Sequence, residues 1–469
     1  RRSDGHGVMA PRVTAADGAD LLLAWYGDDV TGSTDALEAL GAAGVPTVLF
    51  LAPPSREQLD ADFPACRAVG VAGIARSLPT RGLRDEIEPI LRALVELRPA
   101  AVHYKVCSTF DSSPDVGSIG AAIDLGWPIL RPDWVPILVA APALGRYTVF
   151  ATHFATYRGE VYRLDRHPVM SRHPITPMTE PDLRRHLGAQ TDRPIGLVDI
   201  RALEAGLDAA GAALDGELAA GRRVVVCDGI DDPTVAVAAR LAWHRRPPDR
   251  PAFVVGSSGV ETGLVDVWRT EELLGRGTTE PAGGRLGPPS GPVVVASGSA
   301  SPWTAIQIGR AFDAGWADVP LDTERLVSDP KAAVDAAAAT AERAVRDGSN
   351  VVVHAALGPD DARLVATRAI ALGAGLDDRT LATRLGHALG ATLTAVVAST
   401  GIRRAALAGG DASGWAARAL RVEALEYVAS LDPGVPLCRA TRVAGSPDLE
   451  LVLKGGQLGS EDVFVRLAA

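Results

Sequence analysis

Short runs of apolar, often β-branched residues recur along the chain, each followed by a longer stretch whose apolar positions repeat with helical spacing. Parallel strands must be joined by crossovers of a dozen or more residues, usually helices. The alternation therefore predicts an α/β fold built on largely parallel sheets flanked by helices. Strands are expected at 21–26, 47–51, 68–73, 101–105, 137–141, 223–228, 252–255, 293–297, 350–354, 404–408 and 449–453. Helices are expected at 80–97, 200–220, 234–244, 331–347, 378–397 and 414–428. At 469 residues the chain is long enough for two or three domains, taking roughly 150 residues for each. A Gly- and Pro-rich stretch without periodicity, 276–292, reads as a linker or crossing loop between domains at 18–275 and 293–469. Residues 146–178 form a second irregular region, with hairpin-like aromatic alternation around Arg158-Gly159. Long insertions of this kind are often functional loops.

Charge excludes one class of partner. Lys plus Arg number 47 against 57 Asp plus Glu, a net charge of −10. Duplex binding needs clustered basic residues to neutralise phosphates, and no such cluster exists, so nucleic acid is not expected. The four cysteines lie far apart without metal-ligand spacing, as free thiols of a reducing cytosol do. The most apolar window, 135–145, is proline-broken and too short to span a bilayer. The polar start reads as an appended remnant or loose tail without a secretory signal. A cytoplasmic protein with no membrane partner is expected, and a homo-oligomer is compatible with the sequence.

The first strand leads into "YGDDVTGSTDALEAL", placing Asp28 and Asp29 between a strand end and a helix start. Open α/β sheets bind ligands at such carboxyl ends. A helix cap and a catalytic carboxylate are both open readings. Lys105 closes another strand and precedes Ser108, Thr109 and Asp111, a set suited to a polyhydroxylated anion. The second half carries glycine-rich turns after three strands: Ser297-Gly298-Ser299, Gly409-Gly410-Asp411-Ala412-Ser413-Gly414, and Lys454-Gly455-Gly456. Glycine lets backbone amides approach phosphate oxygens, and a helix amino terminus adds unpaired N–H groups. Ser301, followed by Pro302, fits a helix cap beside the first turn. Neither GxxxxGK[ST] nor an opening GxGxxG is present, so the site is neither a P-loop nor an ordinary dinucleotide fold. His167 and His173 lack the i, i+4 spacing of common zinc motifs, and no metal-ligand cluster is expected. Trp303 and Trp415, each just after a turn, fit core packing better than adenine stacking.

Together "GDDVTG" (Gly27–Gly32), "SGSASPWTAIQI" (Ser297–Ile308), "GGDASG" (Gly409–Gly414) and "LKGGQLGSEDVF" (Leu453–Phe464) resemble the four-carbon acid sugar kinase family. The resemblance runs from about Leu21 to Leu467. It implies an N-terminal substrate domain and a C-terminal nucleotide domain, with the active site in the cleft between them. The implied reaction is phosphoryl transfer from ATP, with Mg2+, to a hydroxyl of a small sugar acid. Asp28 and Asp29 correspond to the family's acidic pair, one expected at the substrate hydroxyl and the other at the Thr31–Ser33 amides. Lys105, Ser108, Thr109 and Asp111 are expected to hold the acid, joined by His153 and Arg158 from the irregular loop. Ser297, Gly298, Ser299, Ser301, Gly409, Gly410, Asp411, Ser413, Gly414, Lys454, Gly455 and Gly456 are expected around ATP. The family text Lys-x-Asp-Ser-Thr-Leu-Arg-Gly here has Cys107 for the aspartate and Asp111 for the arginine. That exchange points toward a 3-oxo or branched acid, such as 3-oxo-isoapionate, as the alternative to a plain tetronate. A nucleotide-binding regulator and a nicotinamide-dependent dehydrogenase are the rival classes.

Overall fold

The computed structural model describes residues 21–173, 175–274, 287, 289–442 and 448–469, without the Asp411 side chain. The N-terminal half contributes β1 (Leu23–Gly27), β2 (Thr47–Phe50), β3 (Ala68–Ala72), β4 (Ala101–Lys105), β5 (Val135–Leu138), β6 (Arg146–Val149), β7 (Thr152–Tyr157), β8 (Glu160–Arg163), β9 (Ile195–Val198), β10 (Val224–Cys227) and β11 (Ala252–Gly256). The C-terminal half contributes β12 (Val294–Ser297), β13 (Ala317–Pro320), β14 (Val351–His354), β15 (Arg404–Ala408), β16 (Val422–Asp432), β17 (Val435–Arg442) and β18 (Leu449–Lys454). Helices pack on both faces, as the sequence alternation requires.

Both halves wind in the same way. The order β2-β3-β1-β4 recurs as β13-β14-β12-β15, with every neighbouring pair parallel. In each, the chain turns to the other side after its third strand, so a crevice opens at the carboxyl ends of the first and fourth strands. For the N-terminal half those ends carry Asp28-Asp29 and Lys105. For the C-terminal half they carry Gly298 and Gly409.

The sheets of the two halves are joined, and two of the expected helices give way. β16 pairs antiparallel with β2 through Ala424↔Phe50, Leu425↔Leu49 and Glu426↔Val48, making one 15-stranded sheet. The expected helix 414–428 is instead the end of the helix Gly410–Ala419 followed by β16, whose hairpin partner is β17. "VEALEYVASLD" holds six Ala, Leu and Glu residues that favour a helix, but its pairing on both edges overrides that local preference. The expected helix 200–220 is likewise two helices, parted at Gly206, whose φ of 100° suits glycine alone. The apolar helix Asp378–Thr400 has the length of a membrane span but lies with 44% of that window buried inside the protein.

The halves also meet through a buried carboxylate. Glu38, on the helix Val30–Ala42, accepts a hydrogen bond of 2.8 Å from the Gly434 amide in the β16–β17 turn. Burial pushes the Glu38 carboxyl up from 4.5 to about 7. A carboxyl with a raised folded-state pKa contributes stability that is full below the unfolded value and is lost as pH rises through the folded one. The melting temperature should therefore fall from pH 5 to pH 8, and Glu38→Gln should fall less. The difference between the two proteins isolates Glu38 from other raised carboxyls.

Candidate active site

Two cavities open where the carboxyl ends of the two half-sheets face each other. The first, about 260 Å³, is walled by Asp29, Thr31, Asp35, Arg76, Lys105, Ser108, Thr109, Asp111 and Arg146 from the N-terminal half. Ser301, Gly410, Gly455 and Gly456 close it from the other side. The second, about 390 Å³, is lined by Gly298, Ser299, Gly409, Gly410, Ala382 and Leu385, with Arg76 and His173 reaching in from the first half. Arg76, His173 and Gly410 belong to both walls.

Of the acidic pair, Asp29 takes both positions: it caps the helix Val30–Ala42 by accepting from the Gly32 amide at 2.6 Å, and it lines the first cavity. Its other oxygen accepts from Thr31 Oγ1 at 3.0 Å and pairs with Arg76 Nη1 at 3.0 Å. A carboxylate offers about four acceptor positions, so one remains for a ligand. Asp28 lines neither cavity; it is 3% exposed, and its Oδ1 has no partner among the described residues. Burial first, then the neighbouring Asp29 charge, holds the Asp28 carboxyl well above the usual range.

Arg76, which carries no motif, is the centre of the charge network. It follows β3 in a short 3-10 turn, and its guanidinium lies 3.0 Å from Asp29 and 4.0 Å from Asp111. Burial opposes its charge, but Asp29 and Asp111 outweigh that and raise its pKa. Asp111, in the place where the family text has arginine, also accepts from Thr109 Oγ1 at 2.5 Å. Burial works against the Asp111 carboxylate, yet Arg76 and His173 hold it below its ordinary value. The exchanged charge is thus absorbed inside the protein. Lys105 is buried and pairs with Asp35 at 3.0 Å; burial works against its charge, but Asp35 and the neighbouring anionic groups together raise its pKa. Cys107 lies beside Thr109 Oγ1 at 3.1 Å, and burial pushes its thiol up to about 11.

Several expected residues lie elsewhere. His153 is fully buried between Thr148 Oγ1 (3.0 Å) and the Ser108 carbonyl (2.8 Å), and burial drives its pKa down to about 4. It steadies the Ser108 loop from behind. Arg158 is exposed at the β7–β8 hairpin tip, over the Tyr157 ring, and lines neither cavity. Lys454 turns back into its own loop, donating to the Gly455 and Leu458 carbonyls at 2.8 and 3.0 Å, while burial lowers its pKa to about 7. Ser297 is buried behind Ser299, Ser413 is buried with an unpartnered hydroxyl, and Gly414 packs against Val30. The Asp411 side chain, residues 18–20 and most of 276–292 lie outside the described residues. Trp303 donates to the Gly459 carbonyl and Trp415 packs beside His387. Among the described residues no metal-binding group of three or more His, Cys, Asp or Glu occurs.

The nucleotide-side turns fit phosphate by two observations. A Cβ on Gly298 would stand 2.6 Å from Ala412 Cβ, and Gly409 has φ 120° with its amide bonded to the Lys454 carbonyl. The helix Gly410–Ala419 begins there with no side-chain cap, leaving first-turn amides for an anion.

This is a two-part α/β protein with two adjoining cavities between its halves, the second beside glycine-rich turns and an uncapped helix start. Residues 23–264 match the model of a sugar-binding N-terminal domain, and 294–464 that of a nucleotide-binding C-terminal domain. The 3-oxo-isoapionate kinase of Paraburkholderia graminis is 44% identical over 95% of this chain and 94% of its own. The 3-oxo-tetronate kinase of Methylobacterium radiotolerans is 32% identical over 95% and 98%. The crystal structure of Haemophilus influenzae protein HI1011 superposes with a TM-score of 0.67 at 26% identity, covering 95% of this chain and 98% of that one. The chain belongs to the four-carbon acid sugar kinase family.

Proposed function

We propose that this sugar-acid kinase, a cytoplasmic enzyme, transfers the γ-phosphoryl group of ATP to a hydroxyl of a 3-oxo sugar acid, with a branched acid of the 3-oxo-isoapionate type ahead of a plain tetronate. The observation that carries the reading is the shared wall of Arg76, His173 and Gly410, which joins an acceptor cavity to a phosphate cradle. Identity to a kinase named for 3-oxo-isoapionate supports the choice of acid. So does Cys107, which stands where the family text has an aspartate and stays a neutral thiol.

In this reading the N-terminal half, 18–275, binds the acid and the C-terminal half, 293–469, binds ATP, joined through 276–292. Asp29 uses its free acceptor position to orient the attacking hydroxyl and take its proton. Ser108 and Thr109 meet the acid's oxygens, and Lys105 sets the potential of that wall. The Gly298 and Gly409 turns, whose own amides are bonded to the Ala408 and Lys454 carbonyls, leave room for phosphates at the first-turn amides of the helix Gly410–Ala419, with Ala382 and Leu385 as the apolar wall. Arg76 neutralises charge on the group in transit, since this chemistry depends on positioning and electrostatics. Mg2+ fits as an ion brought by the nucleotide: such ions keep waters and bind through phosphates with one or two carboxylates.

An ATP-coupled screen of C4 and C5 sugar acids, including 3-oxo and branched forms, tests the reading. ATP consumption that depends on the added acid supports it; nucleotide binding without such turnover means a regulatory protein instead. On the nucleotide side, Gly298→Val should raise KM for ATP at least tenfold and leave KM for the acid within twofold. The added side chain would collide with Ala412 and crowd Leu389.

A further inference from the structure

The cations of the first cavity are unequally committed. Lys105 has Asp35 at 3.0 Å, and Arg76 has Asp29 at 3.0 Å and Asp111 at 4.0 Å. Arg146, at the start of β6, lines the same cavity, yet no carboxylate among the described residues pairs with it. Its Nη1 donates to the carbonyls of Leu144 (2.8 Å), Gly145 (3.3 Å) and Thr156 (3.3 Å). Those three bonds fix one end of the guanidinium. The opposite edge is idle: Nε is buried without a partner, and Nη2 makes no hydrogen bond among the described residues. A buried cationic donor left unpaired costs free energy unless a ligand completes it.

The Nε–Nη2 edge is the planar fork that matches a carboxylate through two parallel hydrogen bonds. We propose that Arg146 is the carboxylate-recognition residue of the site, gripping the acid group of the substrate through Nε and Nη2. The inference rests on the sugar-acid reading above. It moves the carboxylate away from Lys105, whose charge Asp35 already balances, and sets the acid's far end against Arg146. The hydroxyl end then points toward Asp29 and Arg76, which wall the same cavity. Specificity for an acid over a neutral sugar follows from one side chain held by backbone carbonyls.

The experiment compares the acid that turns over best in the screen with its primary amide, on wild type, Arg146→Gln and Arg146→Lys. Losing a desolvated charged fork costs on the order of 10²-fold or more. Arg146→Gln should raise KM for the acid by about that factor, leave KM for ATP within threefold, and erase most of the preference for acid over amide. Arg146→Lys keeps the charge and a donor for the carbonyls but loses the fork. It should raise KM for the acid at least tenfold, and it decides the matter if the glutamine variant does not fold. A wild-type enzyme that uses an acid, together with variants that keep its KM and the acid preference, overturns the proposal. A wild-type enzyme that phosphorylates no acid overturns the kinase reading itself, a different result from the first.

Discussion

Arg76→Met should lower kcat by about 10³-fold or more while the protein still binds ATP. An arginine that meets the transferring phosphoryl group contributes on the order of 10³–10⁵ in related chemistry. Arg76 is the one guanidinium that walls both cavities, next to the start of the helix Gly410–Ala419. The same substitution leaves Asp29 and Asp111 without their shared partner in a buried setting. Breaking such a network by removing one member costs roughly 3–5 kcal/mol, so the melting temperature should fall as well. Arg76→Lys separates the two effects. It restores a charge for the carboxylates and most of the stability, but not the planar donor, so kcat should stay at least tenfold down. Steady-state kinetics beside thermal melts read both, and near-normal turnover in Arg76→Met would remove Arg76 from the chemistry.

The second large effect separates two adjacent carboxylates. Asp29→Asn should reduce turnover by about 10²–10⁴-fold, the range for a general base, because the remaining acceptor position and the charge facing Arg76 both go. Asp28→Asn should leave turnover within about threefold. Asp28 is buried with an oxygen unpartnered among the described residues, and burial plus the Asp29 charge favour its protonated form. An amide of the same shape replaces a carboxyl whose charge is disfavoured there. The sign on stability follows too: a raised carboxyl weakens the fold as pH rises, so Asp28→Asn should melt higher than wild type at pH 8. Equal losses in both variants would overturn the division of roles.

Much of this was legible in the sequence because buried parallel strands leave a strong mark. Runs such as "VVVASGS" and "VVVHAAL" are apolar on both faces and end in small residues. Asp29, Lys105 and the Gly298 and Gly409 turns stand at such ends, so position alone marked them. Arg76, Arg146 and His173 left no comparable trace. Each is one charged or polar residue in plain text, and only the folding of the N-terminal half brings the exit of β3, the start of β6 and the loop at His173 to one cavity. Arg76 does follow the expected strand 68–73 at its carboxyl end, which was the available clue. Which aspartate faces the ligand depends on the direction of the Gly27–Asp29 turn, and alternation does not give that direction. The β16–β17 hairpin was hidden for a different reason, since alanine, leucine and glutamate favour a helix until a strand edge is offered on each side.

That hairpin has a mechanical consequence. Where β16 lies against β2, three residue pairs of an antiparallel ladder splice the N-terminal half to the C-terminal half. A loose tether would let two lobes swing apart like jaws, whereas a spliced sheet bends as one leaf spring. Any movement of one half against the other has to bend the strands at β16 and β2 instead of swinging on a tether. Pulling the lobes fully apart would strip two strand edges of their hydrogen bonds, leaving each half ready to pair with an edge on another chain.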